Sequence, residues 1–441
     1  MNGFKIFFFI AVVTAAMGCA PSADSRSTRS GTEPLQRPAV DAAILMRELP
    51  SVHDSRVSYC EILENSNSTY SGFRDTQLQP LASLSKMITA AWAIDQLGVD
   101  YRFTTEFFLI PTGNGNSEYD AYLKMNFDPI VNIEKLLFML SELKKNGVSQ
   151  IRNLIIDEST RVNLSVLANP HIDLDQTPVS SEISTKNLEL IFNSTNWGPK
   201  TSLAREALTS WAEKNSISLS IPNNFSTAKV IFKQSDEIDI SRYHKKILIN
   251  SAPLFKYLKN MNVYSNNYVA DSIFSILGGL KKFNFFQKNS LNLSQSEMQI
   301  YTGSGLEDSS SGVRLDNRGT CFSMIKVLSF LRSKIFEANL NLGQLFLNPT
   351  VDADGTFDLD SRYNNAIVLK TGRLYDLPAM NVAGFVSTNQ GLLSFVFLAH
   401  DFTAEEAKEI EKSRSDMLVS IYSNFKTQPS FVSIEFSHIF L

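Results

Sequence analysis

Histidine is scarce in this chain, five in 441 residues. His53, His171, His244, His400 and His438 fall at no spacing that would hold a metal, and no Gly-x-Ser-x-Gly turn accompanies them. A metal centre and a Ser-His-Asp hydrolase are excluded on those grounds, and nothing in the chain calls for a cofactor. Cysteine is scarcer still, at three. Apart from Cys19 near the N-terminus, Cys60 and Cys321 are able to pair in an oxidising compartment or to remain two buried thiols, and two residues make no disulfide framework. No block of like charge exists either: 41 basic residues face 45 acidic ones, a formal net charge of −4. Without a basic stripe, nucleic acid is excluded as a partner.

Only one apolar run is long enough to matter. Lys5 precedes Ile6 to Val13, and small residues follow as far as Ala16-Met17-Gly18-Cys19. This is the layout of an export signal over residues 1–19. The last four residues resemble a lipobox, in which Cys19 would be lipidated and become the mature N-terminus; the alternative is an ordinary cleaved signal with an incidental cysteine. Either way the sequence predicts an exported protein, periplasmic, and the lipobox reading adds a lipid anchor that holds it to a membrane. Residues 20–40, rich in Ser, Thr, Arg and Pro without apolar period, read as a flexible tether.

What remains, 43% apolar and 20% charged in the chain as a whole, is ample for a hydrophobic core and more than one domain. A strand-like run with Val57, Tyr59 and Ile62 ends in Asn65-Ser66-Asn67-Ser68, predicting a hairpin into Tyr70 and Phe73. Leu84, Met87, Ile88, Ala91, Ile94 and Leu97 recur at helical steps before Gly98, predicting a buried helix from Ser83 to Leu97. From Tyr101 to about Lys246 the texture changes to short strands (Phe103 to Ile110, Ile151 to Ile156) and a helix near Asn132 to Asn146, read as an insertion. Helical patterns then return around Leu254 to Leu258, Tyr268 to Leu277 and Cys321 to Arg332. Val382 to Ser387 and Leu392 to Ala399 predict a hairpin, and Thr403-x-x-Glu406 is a capping box for a last helix reaching Tyr422.

Three short patterns stand in chain order: Ser83-Leu84-Ser85-Lys86, Ser265-Asn266-Asn267 and Lys370-Thr371-Gly372. The first two are weak singly, since Ser-x-x-Lys also occurs at Ser141, Ser226, Ser323 and Ser423, and Ser-x-Asn at Ser194, Ser290 and Ser387. Local context selects among them. Ser83 opens a buried helix, which puts Lys86 one turn along the same face. A serine hydroxyl needs a neighbouring base, and a buried lysine is able to serve as one. Ser265 and Asn267 precede a helix and are suited to presenting polar groups into a cleft, Ser265 as a proton relay. Lys370 and Thr371 continue an apolar strand and offer the cation and hydroxyl that a C-terminal carboxylate needs, while Gly372 permits close backbone approach.

With these motifs the chain resembles the D-Ala-D-Ala carboxypeptidases of the penicillin-binding protein 4 type, peptidase family S13. Leu97-Gly98-Val99-Asp100-Tyr101-Arg102-Phe103-Thr104-Thr105 is similar to the family's LGPDYRFTT, and Phe127-Asp128-Pro129 to its GDP turn. Gly303-Ser304-Gly305-Leu306 followed by Asp316-Asn317-Arg318 resembles a split GSGLSRDNR. Asp354-Gly355-Thr356-Phe357 resembles DGTL, and Val382-Ala383-Gly384-Phe385-Val386 resembles AGYV.

The resemblance implies an α+β fold: a penicillin-binding-protein/β-lactamase-like transpeptidase domain, an antiparallel sheet flanked by helices, over residues 41–102 and 247–441. It implies an inserted accessory domain over 103–246, reduced because only 182 residues separate Ser83 from Ser265. By the same resemblance Ser83 is the nucleophile, Lys86 the general base, Ser265 the proton shuttle and Asn267 the group that orients the substrate amide. Lys370 and Thr371 bind the terminal carboxylate, and the backbone N–H groups of Ser83 and Arg373 form the oxyanion hole beside Gly372. Asn266 replaces the common Asp, Arg373 replaces a small residue, and Pro80 stands one residue further from the serine than in the family. The expected substrates are peptidoglycan peptides ending in D-Ala-D-Ala or cross-linked through D-Ala, with β-lactams as inhibitors. A serine β-lactamase and a non-catalytic peptidoglycan-binding lipoprotein are the alternatives.

Overall fold

A computed structural model describes residues 56–64, 69–113, 117–162, 164, 179–352, 355–357, 365–434 and 441. Cys19, the signal and the tether lie outside the described residues. The central sheet is antiparallel throughout, with strands in the spatial order Ile367–Leu374, Ala379–Thr388, Gly391–Ala399, Val57–Glu64 and Thr69–Phe73. Its inner strands are buried along most of their length because both faces are covered. Along Gly391–Ala399 the side chains alternate between two cores: Val396 and Leu398 pack with the Ser85–Leu97 and Cys321–Glu337 helices. Phe395, Phe397 and Ala399 pack with Met417, Leu418 and Ile421 of the C-terminal helix Glu406–Asn424. That period of two places helices on either side of the sheet.

The Ser85–Leu97 helix is apolar nearly all round and runs through the first core, with Trp92 edge-on to Phe274 and Phe283. The predicted capping box is present: the Glu406 carboxylate accepts from Thr403 N–H at 2.7 Å, and the Thr403 hydroxyl accepts from Glu406 N–H at 3.2 Å. Cys60, in the Val57–Glu64 strand, and Cys321, the first residue of its helix, form a disulfide. The sequence left that pairing open.

Between the first two motifs lies a second five-stranded sheet, in the order Ser226–Phe232, Gln150–Ile156, Glu118–Lys124, Arg102–Pro111 and Lys245–Pro253. Helices Ile133–Lys145, Ser181–Ile191 and Pro199–Lys214 contribute side chains to its own core. The strands by which the chain enters and leaves this sheet are antiparallel neighbours. A division after Lys246 falls inside the exit strand, because Ile247 and Ile249 still face this second core. A buried polar triad ties it to the first core: Lys135 bonds Asp128 at 2.5 Å and Tyr257 at 2.9 Å, and the Tyr257 hydroxyl donates to Asp128 at 2.9 Å. Pairing every member is what makes burial of these groups tolerable. Among the described residues no helix is long and apolar enough to cross a membrane.

Candidate active site

Ser83 does not open the α-helix. It sits in a single 3-10 turn, Ala82–Leu84, and the α-helix begins at Ser85. The tighter turn follows from Ala82, whose φ of 49° lies in the left-handed region and breaks helical continuity just before the serine. Such a conformation at a non-glycine residue costs on the order of 1 kcal/mol or more and survives only where its surroundings fix it. They do so from three directions. The amide of buried Asn381 donates to Pro80 O at 2.9 Å and Leu81 O at 3.1 Å. Leu81 N–H donates to Asn317 O at 2.9 Å. Gly305 presses on the turn so closely that a Cβ there would stand 1.9 Å from Ala82 O.

Lys86, the second residue of the Ser85–Leu97 helix, is fully buried. Its ammonium donates to Ser83 Oγ at 2.8 Å, Asn267 Oδ1 at 2.5 Å and Ser304 O at 2.9 Å. The first and second motifs therefore meet at one nitrogen. Asn267 is the first residue of the Asn267–Ile276 helix, and Asn266 caps it by accepting from Val269 N–H at 3.1 Å. Asn at the position of the common Asp thus keeps the capping function. Ser265 takes a left-handed φ of 57° and lines the same cavity as Ser83 and Asn267; that cavity, not a hydrogen bond, joins it to the nucleophile.

The third motif lies on the edge strand Ile367–Leu374. Alternation turns Thr371 and Arg373 to the cavity and Lys370 and Gly372 toward the serine turn. Lys370 is wholly buried behind the cavity wall, its ammonium donating to Thr371 O at 2.8 Å. Burial first, and then the charge of Lys86, hold it well below the ordinary lysine range. Thr371 shares a 2.9 Å hydroxyl contact with Thr356. At Gly372 a Cβ would come 2.8 Å from Leu81 O and 3.2 Å from Ser83 N, so only glycine lets the strand lie this close to the nucleophile. The cavity over Ser83 has a volume of about 860 Å³.

The sequence signature of the D-Ala-D-Ala carboxypeptidase 3 (S13) family matches residues 41–190 and 233–420. The chain belongs to that family. It is similar to the D-alanyl-D-alanine carboxypeptidase DacB of Haemophilus influenzae, 24% identical over 432 residues, covering 80% of this chain and 86% of the relative. Among solved structures, the Bd0816 predatory endopeptidase from Bdellovibrio bacteriovorus, in complex with immunity protein Bd3460, is similar at 25% identity and a TM-score of 0.74, over 87% of this chain and 98% of that one. Penicillin G acylated Bd3459 predatory endopeptidase from the same organism matches at 24% identity and a TM-score of 0.74, over 87% and 97% of the two chains. The penicillin-binding-type fold expected from the motifs is the one observed.

Membership in S13 leaves three residues of this site that sequence reasoning passed over. Asn381 carries no local signal, being a lone asparagine in an apolar strand 300 positions from Leu81. Asn317 stood in a quoted motif without a role; its amide clamps Tyr301 N–H at 2.7 Å and Thr302 O at 2.7 Å, fixing the chain that leads to Ser304. Asp271, one turn after Asn267, accepts from Ser304 N–H at 2.8 Å. Burial raises its carboxyl above the usual range against the opposing pull of the Ser304 hydrogen bonds and the Lys86 charge. Helical spacing of four from Asn267 was the signal that could have found it.

Proposed function

We propose that Ser83 is the nucleophile of a serine acyl-enzyme peptidase acting on the D-Ala-D-Ala peptides that define its family. The observation that carries this reading is the 2.8 Å contact between Lys86 Nζ and Ser83 Oγ, made by a buried lysine that also holds Asn267. In its uncharged amine form, Lys86 takes the hydroxyl proton and becomes the ammonium as Ser83 Oγ attacks the carbonyl of the penultimate D-Ala. The N–H groups of Ser83 and Arg373 stabilise the oxyanion, and Gly372 is what allows the two to approach. Ser265 passes the proton to the leaving amine, Asn267 orients the substrate amide, and Thr371 meets the carboxylate with the Lys370 charge behind it. Water then releases the acyl group.

Residues 1–19 serve in this reading as a lipoprotein signal ending at Cys19, 20–40 as a tether, and 103–246 as a reduced accessory insertion in a catalytic domain formed by 41–102 and 247–441. The enzyme is exported and works in the periplasm from a lipid anchor. Growth with a labelled fatty acid tests the anchor: label on the wild type and none on Cys19→Ser is expected, and equal label overturns it. A fluorescent penicillin tests the chemistry. Covalent labelling of the wild type, absent in Ser83→Ala, is expected; labelling that persists in the variant, or is missing from the wild type, overturns the reading.

A further inference from the structure

Thr371 does not meet the Ser83 cavity alone. Thr356, fifteen residues earlier in the chain, lines the same cavity and brings its hydroxyl oxygen to 2.9 Å from that of Thr371. Thr356 is exposed, whereas Thr371 is buried, so an entering ligand has access to the pair through Thr356. The backbone fixes it there. Thr356 N–H donates to Val263 O at 3.2 Å, and Val263 stands two residues before Ser265. The preceding residue, Gly355, donates its N–H to Asp352 O at 3.3 Å. The Asp352 carboxylate is held in turn by the buried Lys259 at 2.5 Å and by the Ser433 hydroxyl at 2.7 Å. Thr356 is therefore tied to the second motif through its main chain and to the third through its side chain.

Each hydroxyl carries one proton, and in their mutual contact only one of the two is used. A ligand with two acceptor oxygens side by side lets both hydroxyls donate at once, one to each oxygen. A carboxylate has that shape, and hydrogen bonds to it are charge-assisted. The arginines of the cavity wall do not take over this role. Arg314 is engaged by Glu307 at 3.3 Å and feels the charge of Asp376, Arg414 has Glu411 at 3.7 Å, and the Arg373 guanidinium lies 4.9 Å over the Tyr375 ring. Positive and negative groups are balanced around that wall, so selection of an anion falls to the short-range donors beside Lys370.

We propose that Thr356 is a substrate-binding residue: its hydroxyl joins that of Thr371 in holding the terminal carboxylate, and so selects free C-terminal acids over blocked ends. This inference rests on the acyl-enzyme reading of Ser83, in which Thr371 meets that carboxylate. Its test compares an N-acylated peptide ending in D-Ala-D-Ala with the same peptide as its C-terminal amide. Cleavage is followed by mass spectrometry over long incubations, which read slow turnover as well as fast. The wild type should favour the acid. Thr356→Val keeps the shape and removes the hydroxyl; it should lower the acid-to-amide ratio of kcat/KM by about tenfold, the worth of one charged hydrogen bond, and leave the amide within about twofold. Thr356→Ser, which keeps the hydroxyl, should retain most of the ratio. Because the readout is a ratio, a partly destabilised variant still reports. A ratio unchanged in Thr356→Val overturns the assignment. An equal fall for acid and amide does so too, since that is the result if Thr356 merely props Thr371. Penicillin labelling of Ser83 in the same preparation separates the two claims: a labelled wild type with an unchanged ratio in the valine variant sinks the role of Thr356 alone, whereas an unlabelled, inactive wild type sinks both.

Discussion

Asp271 and Lys86 grip opposite ends of one residue: the Asp271 carboxylate accepts from Ser304 N–H at 2.8 Å, and the Lys86 ammonium donates to Ser304 O at 2.9 Å. The Ser304 backbone thus connects an anion on one helix to the cation at the nucleophile on another. Asp271 is a positioning residue, acting through Ser304. Asp271→Asn keeps an acceptor oxygen for the N–H but removes the charge that faces Lys86. The sign of the stability effect follows from its raised carboxyl. The folded state disfavours the charged form, so whatever stability this group contributes is present at low pH and lost as pH rises through its folded value. At pH 7 the asparagine variant should therefore melt no lower than the wild type, while penicillin acylation slows by about tenfold, the effect of losing one charged partner. A fall in Tm matching the fall in rate would show a merely structural role.

Gly372→Ala tests the close approach of the edge strand to the serine turn. The added methyl meets Leu81 O and Ser83 N, backbone atoms with no flexible end to yield. Overpacking of this kind costs about 1–3 kcal/mol. The strand carrying Thr371 and Arg373 should shift away from Ser83, lowering acylation by about a hundredfold through displaced oxyanion donors. Stopped-flow acylation rates together with a melting curve check it, and a variant acylating at the wild-type rate would contradict the assigned geometry.

The sequence was legible where function rests on short-range pattern. Ser-x-x-Lys at a helix start, a capped helix after Asn266 and a Lys-Thr-Gly strand are each written within a few residues, and all three motifs converge. Two kinds of feature were not. The left-handed φ of Ala82 moves the α-helix start to Ser85, and alanine gives no hint of such a conformation. The groups that impose it, Asn381 and Gly305, come from distant strands and loops, so their purpose exists only in three dimensions. The pairing of Cys60 with Cys321 was undecidable for the same reason, being set by the packing of a helix on a strand across 261 positions.

That disulfide should matter to stability more than to chemistry, because neither cysteine lines the Ser83 cavity. Closing so long a loop removes chain entropy from the unfolded state, worth about 2–5 kcal/mol. Cys60→Ser with Cys321→Ser should lower Tm by several degrees while the acylation rate at 25 °C stays within about twofold of wild type. Equal Tm values for the double variant and the oxidised wild type would argue that the bond does not form in solution.

Lys370 presents the opposite balance. In the unfolded chain its ammonium returns to a pKa near 10.5, whereas burial and the Lys86 charge hold it well below that in the folded state. Between the two values the unfolded chain binds more protons, so stability rises with pH across that window and is lost as pH falls toward the folded value. Wherever it is protonated, this fully buried lysine beside Lys86 is a net cost to the fold, borne for its place behind Thr371. Lys370→Met should raise Tm at pH 7 and flatten its dependence on pH between 7 and 10. The same variant should lose at least about a hundredfold in acylation, since the carboxylate at Thr371 then lacks its countercharge. Gaining stability while losing acylation would distinguish a functional lysine from one retained for packing; falling in both would not.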